Sequence, residues 1–404
     1  MLALRMKKRV ALLCGMVVAC GAPNAKASDE VRAIVGEMMA DARTRGSLLD
    51  DAVRVADDGT FTLAHEGGAT LQVRGELQFR YLANHGSDDD EAGFQMRRSR
   101  IGFRGRIRDG ITYRVRGDWR QRGGAFRALS VHVDFDLDET WSLRLGQFQV
   151  PFDRERGRTG ATRILTIERS IVSSMVRLDR AQGAMLTGRW SRTRLFATLS
   201  DGVEDDDPFA LRSRLEFRVG DAGWGQYRRQ SWRPGDDAGA LVGFGVSWQG
   251  GITDGRPDEL ANEHVDLYQY TGDIAFGGNG AGALIAASGR TFAGGGGTIT
   301  DWGVMVQGSM FVGERVEGYA RYAHLFAGDR RMGGDADFNA LTVGANWYPL
   351  GGGRALRLSA DATWYPRSQS ASSGLLNAPD TSVNLLPDRS GGQVALTLQA
   401  QIVF

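Results

Sequence analysis

Apolar and polar side chains alternate with a period of two along most of the chain from Leu71 onward. In LQVRGELQFRYL, which begins at Leu71, the odd positions are apolar or Gly, and Gln, Arg or Glu fills most even positions. The rhythm recurs in ITYRVRGDW and LRSRLEFRV, weakens in a glycine-rich middle, and returns in QVALTLQAQIVF, which ends at Phe404. A period of two places alternate side chains on opposite faces of a β-strand, so the pattern predicts an all-β region.

Sixteen such segments can be counted. They begin near residues 71, 94, 111, 128, 140, 183, 194, 210, 239, 264, 281, 299, 314, 337, 354 and 392. Their connections alternate between tight turns, such as Asp109-Gly110, and long polar stretches, such as 150–182 and 366–391. This alternation and the even number are typical of an outer-membrane barrel. The stretch 224–232 is a candidate for one further, misplaced strand.

The predicted fold is a 16-stranded antiparallel transmembrane β-barrel. Its apolar face would contact outer-membrane lipid and lipopolysaccharide, and its polar face would line an aqueous lumen. An Arg on the lipid face near the midplane would cost about 2–4 kcal/mol, so the arginine rows must point inward. The final segment alternates up to a terminal aromatic residue, Phe404, and we expect the barrel-assembly machinery to recognise it.

The first 70 residues follow a different pattern. A basic patch, an apolar run from Val10 to Cys20 and the small-x-small site Ala25-Lys26-Ala27 indicate a signal peptide over residues 1–27. A lipoprotein box at 17–20 is the alternative, and either segment exports the chain. Residues 28–46 have helical spacing and predict a short amphipathic periplasmic helix. Residues 47–70 resemble a linker with a short strand at 61–63, and the barrel occupies 71–404.

Charge is unevenly distributed. Cleavage after Ala27 removes both cysteines, all three lysines and two arginines, leaving 49 − 5 = 44 basic residues, all Arg, against 48 acidic ones. The net charge is then −4, which says nothing about an anionic partner. Between Phe94 and Ser200, however, 22 Arg oppose 10 acidic residues. The basic surface is therefore concentrated on about the first third of the barrel.

Arginines at inward positions are the candidate functional residues. The candidates that line the pore and bind anions are Arg98, Arg100, Arg104, Arg106, Arg114, Arg116 and Arg144. The stretch 150–182 is expected to fold into the lumen, and its Arg154, Arg156, Arg158 and Arg163 are the candidates for the constriction. Rings of Arg in a narrow pore favour anions, since guanidinium binds phosphate or carboxylate bidentately and stays charged. The arginine content also fits two alternatives: a bias in the base composition of the genome, and pairing of Arg with acidic residues that stiffens the wall.

The runs LQVRGELQFRYL, FQMRRSRIGFRGRI, YRVRGDW and SLRLGQFQVPFDRE resemble the phosphate-selective porin O/P family. The paired basic residues before an apolar-Gly strand correspond to 97–105, and the family's Val-Gly-Gln-Phe-Lys element corresponds to 145–152, with Gln149 in place of Lys. The resemblance implies a 16-stranded trimeric outer-membrane porin whose arginine ladder, with Arg98 and Arg100, selects phosphate or polyphosphate. The family's phosphate channels also use lysines, which the mature chain lacks.

Alternative functions would rely on other residues. A sugar-type or non-selective porin would use aromatic residues in the lumen, for which Phe148, Phe196, Tyr319 and Trp347 are candidates. A structural tether would act through the 28–46 helix. The sequence has no His-Glu-x-x-His, Gly-x-Ser-x-Gly or phosphate-loop motif, so we expect no enzyme, cofactor or metal site, and no nucleic-acid partner.

Overall fold

Sixteen strands, β3 to β18, form a closed antiparallel barrel in a computed structural model of the chain. Each strand pairs with the next in sequence, and β18 pairs with β3. The structure describes residues 37, 53–55, 61–65, 67–86, 90–119, 125–202, 209–252, 257, 260, 264–331, 337–351, 355–367, 374–376 and 391–404. The strands are β1 (Val53–Val55), β2 (Phe61–Ala64), β3 (Thr70–His85), β4 (Asp90–Arg108), β5 (Ile111–Trp119), β6 (Phe126–Asp136), β7 (Trp141–Gln149), β8 (Arg180–Arg189), β9 (Thr193–Ser200), β10 (Ala210–Gly220), β11 (Gly239–Ile252), β12 (Val265–Gly278), β13 (Ala281–Gly294), β14 (Gly297–Val312), β15 (Val316–Phe326), β16 (Phe338–Trp347), β17 (Leu356–Tyr365) and β18 (Gln393–Val403).

The predicted count of sixteen barrel strands is confirmed, and the strands lie where the two-residue rhythm placed them. The short strand expected at 61–63 is β2, which pairs with the start of β3 and carries β1 on its other edge. The predicted signal peptide and almost all of the predicted helix 28–46 lie outside the described residues. Among the described residues, no helix is long and apolar enough to cross a membrane.

The apolar face of the barrel is its outer face. In β18, Leu396 and Leu398 are 53% and 58% exposed, whereas the intervening Thr397 is 2% exposed. The polar residues therefore point inward, as the sequence predicts. We call the end of the barrel that carries the connections 109–110, 137–140, 190–192, 279–280 and 313–315 the turn side, and the opposite end the loop side.

Two connections fold into the barrel. The first, residues 150–179 on the loop side, is the inward loop, and it contains a π-helical turn at Arg154–Arg158 and a short helix, α1, at Ile171–Met175. The second, residues 221–238 on the turn side, is the turn-side segment, and it contains a 3-10 turn at Gln226–Arg228. The possible extra strand at 224–232 is thus wrong: these residues fold against the inner wall without joining the sheet.

Candidate pore lining

The inward loop is packed on the far wall, which is formed by β11 to β18. Apolar residues of the loop, including Val172 and Met175, belong to one buried cluster with Met305 and Leu325 of the wall. Small residues on the wall allow the close approach: a Cβ on Gly245 would lie 2.8 Å from the carbonyl oxygen of Phe152. Apolar burial therefore fixes the loop against one half of the lumen and leaves the other half to the arginine-bearing strands.

Buried ion pairs fix the loop to the opposite wall. The Glu168 carboxylate accepts from Arg80 Nη1 at 2.5 Å and from Arg97 Nε at 2.6 Å, and Arg98 Nη2 lies 3.8 Å away. Burial alone would raise the pKa of Glu168, but the charges of these three guanidiniums outweigh it and hold the pKa well below its usual range. Glu168 is therefore ionised and spans from the loop to β3 and β4.

A β-bulge in β4 turns two consecutive arginines inward. The register shifts between the pairs Gln78–Arg98 and Phe79–Met96, so Arg97 is the extra residue. Arg97 contacts Glu168, and Arg98 donates to the Gln78 side chain. The sequence prediction named Arg98 but not Arg97, because strict alternation would have turned Arg97 toward lipid. The adjacent pair Arg97-Arg98 was the signal of the bulge.

Two of the predicted pore arginines are largely neutralised by carboxylates. Arg100 donates to Asp118 Oδ2 at 2.9 Å and lies 3.3 Å from Glu76 Oε1. Arg116 pairs with the other oxygen of Glu76. The alternative role of the arginines, pairing that stiffens the wall, therefore applies at this level of β3, β4 and β5.

The wall formed by β3 to β7 is open on its turn-side half. A cavity of about 310 Å³ is lined by the remaining predicted arginines, Arg104, Arg106, Arg114 and Arg144. Arg104 donates to Gln72 at 2.6 Å, Arg106 lies 3.1 Å from Asp109, and Arg144 forms a two-point pair with Asp134. Arg114 is exposed, and no carboxylate of the described residues lies within ion-pair distance of it.

A second cavity of about 150 Å³ adjoins the first, because Arg144 lines both. Its other arginines are Arg158, Arg189, Arg194 and Arg228. Arg189 lies 3.7 Å from Asp136, whereas the Arg194 guanidinium lies 4.0 Å from the ring centroid of Trp224. Within the part of the chain that the structure describes, neither Arg194 nor Arg228 has a carboxylate at ion-pair distance. The two cavities therefore carry uncompensated positive charge.

The four predicted constriction arginines have different surroundings. Arg158 lines the second cavity, pairs with both oxygens of Glu216 at 2.7 and 2.8 Å, and lies over the Phe196 ring. Arg154 is buried and donates to the carbonyl oxygen of Tyr227, so it is a structural contact. Arg156 lies 3.5 Å from Asp179 of the same loop, and Arg163 is half-buried.

Sequence reasoning missed Arg80 and Arg97, which contact Glu168, and Arg194 and Arg228, which line the second cavity. Arg80 and Arg194 stand at inward positions of clear strands, and the alternation alone was a sufficient signal for both. Arg228 had none, because nothing in the sequence shows that the turn-side segment folds inward.

The candidate aromatic residues of a sugar-type pore do not form a row. Phe148, Phe196 and Tyr319 point inward, and all three are buried. The inward placement of Trp347 is wrong: it is 49% exposed and pairs with the outward Val316 across β15 and β16. Trp347 instead belongs to the aromatic residues that face the membrane near the strand ends.

A family comparison identifies the class of protein. Residues 69–262 match the family model described as "Phosphate-selective porin O and P". This chain is an outer-membrane porin. The match extends from β3 through β11 and so includes the strands that carry the arginines, the inward loop and the turn-side segment. The expected resemblance is confirmed over these residues, and the bacterial outer membrane is the porin's location. No curated protein sequence matches the porin.

Solved structures agree with the barrel fold. The anion-selective porin from Comamonas acidovorans is 14% identical with a TM-score of 0.60, and the alignment covers 83% of this chain and all (100%) of that chain. Salmonella typhi OmpF, solved with daunomycin, is 11% identical with a TM-score of 0.58 and coverages of 84% and 99%. The outer-membrane channel DcaP of Acinetobacter baumannii is 13% identical with a TM-score of 0.54 and coverages of 85% and 99%. At these identities the likeness concerns the fold alone.

Proposed function

We propose that the porin is a passive diffusion channel that prefers small oxyanions such as phosphate or polyphosphate. One observation carries the proposal: the open part of the lumen is lined by arginines, and Arg114, Arg194 and Arg228 have no carboxylate at ion-pair distance among the described residues. A cation entering this passage meets fixed positive charge, whereas an anion meets guanidiniums that replace part of its hydration shell.

The arrangement suits transit better than tight binding. The arginines stand on separate strands, and several are already ion-paired with a carboxylate, as Arg144 is with Asp134. An oxyanion therefore has many weak sites between which it moves, which conduction requires. Guanidinium also stays charged at any pH the outer membrane meets, so we expect the preference to be independent of pH.

The quaternary state is part of the same proposal. One related solved structure, OmpT of Vibrio cholerae, is described in a trimer form. We infer a homotrimer for this porin as well, embedded in lipid and lipopolysaccharide, with β18 and Phe404 as the segment that the assembly machinery recognises. We expect a channel and no enzymatic activity.

Reversal potentials in planar bilayers test the selectivity. In a KCl gradient the porin should favour chloride, and added phosphate should reduce the chloride current. Arg114→Gln should lower the chloride-to-potassium permeability ratio, because it removes an uncompensated charge from the passage. Arg315→Gln is the matched control, since Arg315 lies in the turn between β14 and β15, across the barrel from the passage. Preference for potassium in the wild type would overturn the proposal.

A further inference from the structure

The turn-side segment is unusually long for its position. It has eighteen residues, 221–238, whereas the other turn-side connections have between two and eight. The ends of β10 and β11 do not need this length, because Gly220 already pairs with Gly239 and Asp221 N donates to Ala238 O at 3.0 Å. A two-residue turn would join such strands. The extra residues therefore serve something other than connecting the two strands.

The segment is held on the far wall by apolar and polar contacts. Tyr227 and Trp232 are 3% exposed and form a cluster with Leu241. The Trp232 ring covers Gly282, where a Cβ would lie 2.1 Å from the ring. Next to it, Ser231 Oγ donates to Glu317 Oε2 at 2.8 Å. These contacts fix one ordered path for the segment inside the barrel.

The segment also meets the inward loop, which enters from the opposite end. The backbone amide of Gln230 donates to Arg163 O at 3.0 Å, and the amide of Leu165 donates to Gln230 Oε1 at 2.8 Å. Arg154 donates to Tyr227 O. The two segments thus form a continuous partition, and the polar side chains behind it are buried: Glu317 and Asn346 are both 0% exposed.

The wall behind the partition differs in charge from the wall in front of it. The inward charged residues of β11 to β18 are Asp273, Asp301, Glu317 and Asp361 against Arg290, Arg321 and Arg357, four carboxylates to three guanidiniums. In front of the partition, arginines dominate both cavities. A pore that was open over its whole cross-section would therefore offer ions a second path without anion preference.

The segment adds its own charge to the front. Arg228 stands in the 3-10 turn and lines the second cavity beside Arg158 and Arg189. Partial desolvation inside the barrel lowers the pKa of Arg228, although its side chain is exposed to the cavity, and the neighbouring guanidiniums, Arg158 first, lower it further. A lowered pKa is expected for a guanidinium whose surroundings do not supply enough negative charge to compensate it.

We propose that the turn-side segment is a selectivity element of the pore, because it closes the far half of the lumen and presents Arg228 to the anion passage. This inference rests on the proposed anion preference for the role of Arg228, whereas the closure stands independently of the preferred ion. The inward loop then forms one part of the constriction, and the turn-side segment forms the other.

Two variants test the proposal in planar bilayers. Replacing residues 222–237 by Asn-Gly, which forms a two-residue hairpin turn, should raise the single-channel conductance about twofold or more and lower the chloride-to-potassium permeability ratio toward one. Arg228→Gln, which removes an exposed side chain and keeps the fold, should lower the ratio with little change in conductance. Arg233→Gln is the control, because Arg233 belongs to the same segment but lies over the Tyr348 ring.

The outcomes separate the two ideas. A folded hairpin variant with wild-type conductance would overturn the closure, and an Arg228→Gln ratio equal to that of Arg233→Gln would overturn the role of Arg228. If the wild type prefers cations, the proposed anion preference fails, and a raised conductance of the hairpin variant still supports the closure.

Discussion

Glu168 holds the inward loop to the arginine wall, and Glu168→Gln should loosen it. The variant keeps the size of the side chain and removes a charge that Arg80 and Arg97 contact at 2.5 and 2.6 Å, with Arg98 at 3.8 Å. The side chains of Arg80 and Arg98 are 4% exposed, so water cannot replace the lost partner, whereas Arg97 is 20% exposed.

The magnitude follows from these exposures. Removing one partner of a buried ion pair costs about 3–5 kcal/mol. The Gln amide oxygen still accepts from one guanidinium, and Arg97 recovers some hydration, so we expect the lower value. A loss of about 3 kcal/mol increases the population of the detached loop about 100-fold, since 1.4 kcal/mol corresponds to a factor of ten.

Limited proteolysis measures that population, because trypsin cleaves after the loop arginines only when the loop is released. We expect cleavage within 150–179 to accelerate about 100-fold in Glu168→Gln, as the population ratio above requires. Glu139→Gln, in the exposed turn 137–140, should match the wild type. A double variant, Arg80→Gln with Glu168→Gln, should regain part of the protection, because it leaves one fewer unpaired cation. Wild-type cleavage rates in folded Glu168→Gln would refute the role assigned to this residue.

Three further predictions concern the loop and the barrel. Gly245→Val should lower the free energy of unfolding by about 1–3 kcal/mol, because its side chain would meet a backbone carbonyl of the inward loop. The loss should appear as a lower unfolding temperature in gel-shift assays, whereas the outward Gly272→Val should be tolerated. Phe404→Ala should cost about 1–2 kcal/mol in the same assay, because its half-exposed ring covers Gly75 at the seam between β3 and β18; unchanged unfolding would contradict this. Because packing of the loop depresses the pKa of Glu168, its ionised carboxylate stabilises the packed loop at any pH above about 4.3, the pKa of an unperturbed Glu. This stabilisation is lost as the pH falls from there through the depressed pKa of the packed state. Open-channel noise should therefore stay constant from about pH 7 to pH 5 and rise only below about pH 4 in the wild type, and should not change over this range in Glu168→Gln.

The fold could be predicted almost completely because the membrane imposes a rule on every strand. Lipid outside and water inside force the two-residue alternation, so even glycine-rich strands such as β11 and β13 could be counted from their flanking turns. The rule fails where the backbone departs from regular pleating. At Arg97 one extra residue reverses the alternation locally, and the trace of this bulge in the sequence is the adjacent pair Arg97-Arg98 rather than any change in the apolar positions.

The candidate pore lining could be predicted only in part. The direction in which a side chain faces follows from the alternation, and the predicted Arg104, Arg114 and Arg144 line the first cavity. Pairing does not follow from it, because the carboxylates that neutralise Arg100 and Arg116 stand on other strands, one or two strands away, at a register that the sequence leaves open. The burial of Arg154 depends on the turn-side segment, whose fold is determined by contacts with distant strands.

The passage owes its positive charge to guanidinium alone, and this has a practical consequence. From residue 28 onward the sequence contains neither lysine nor cysteine. Amine-directed and thiol-directed reagents would therefore find no side chain to modify in residues 28–404, whereas dicarbonyl reagents that modify arginine would reach exposed arginines such as Arg114. A single lysine or cysteine introduced beside Arg114 or Arg228 would be a unique chemical handle, through which the progress of one solute past one position could be followed optically.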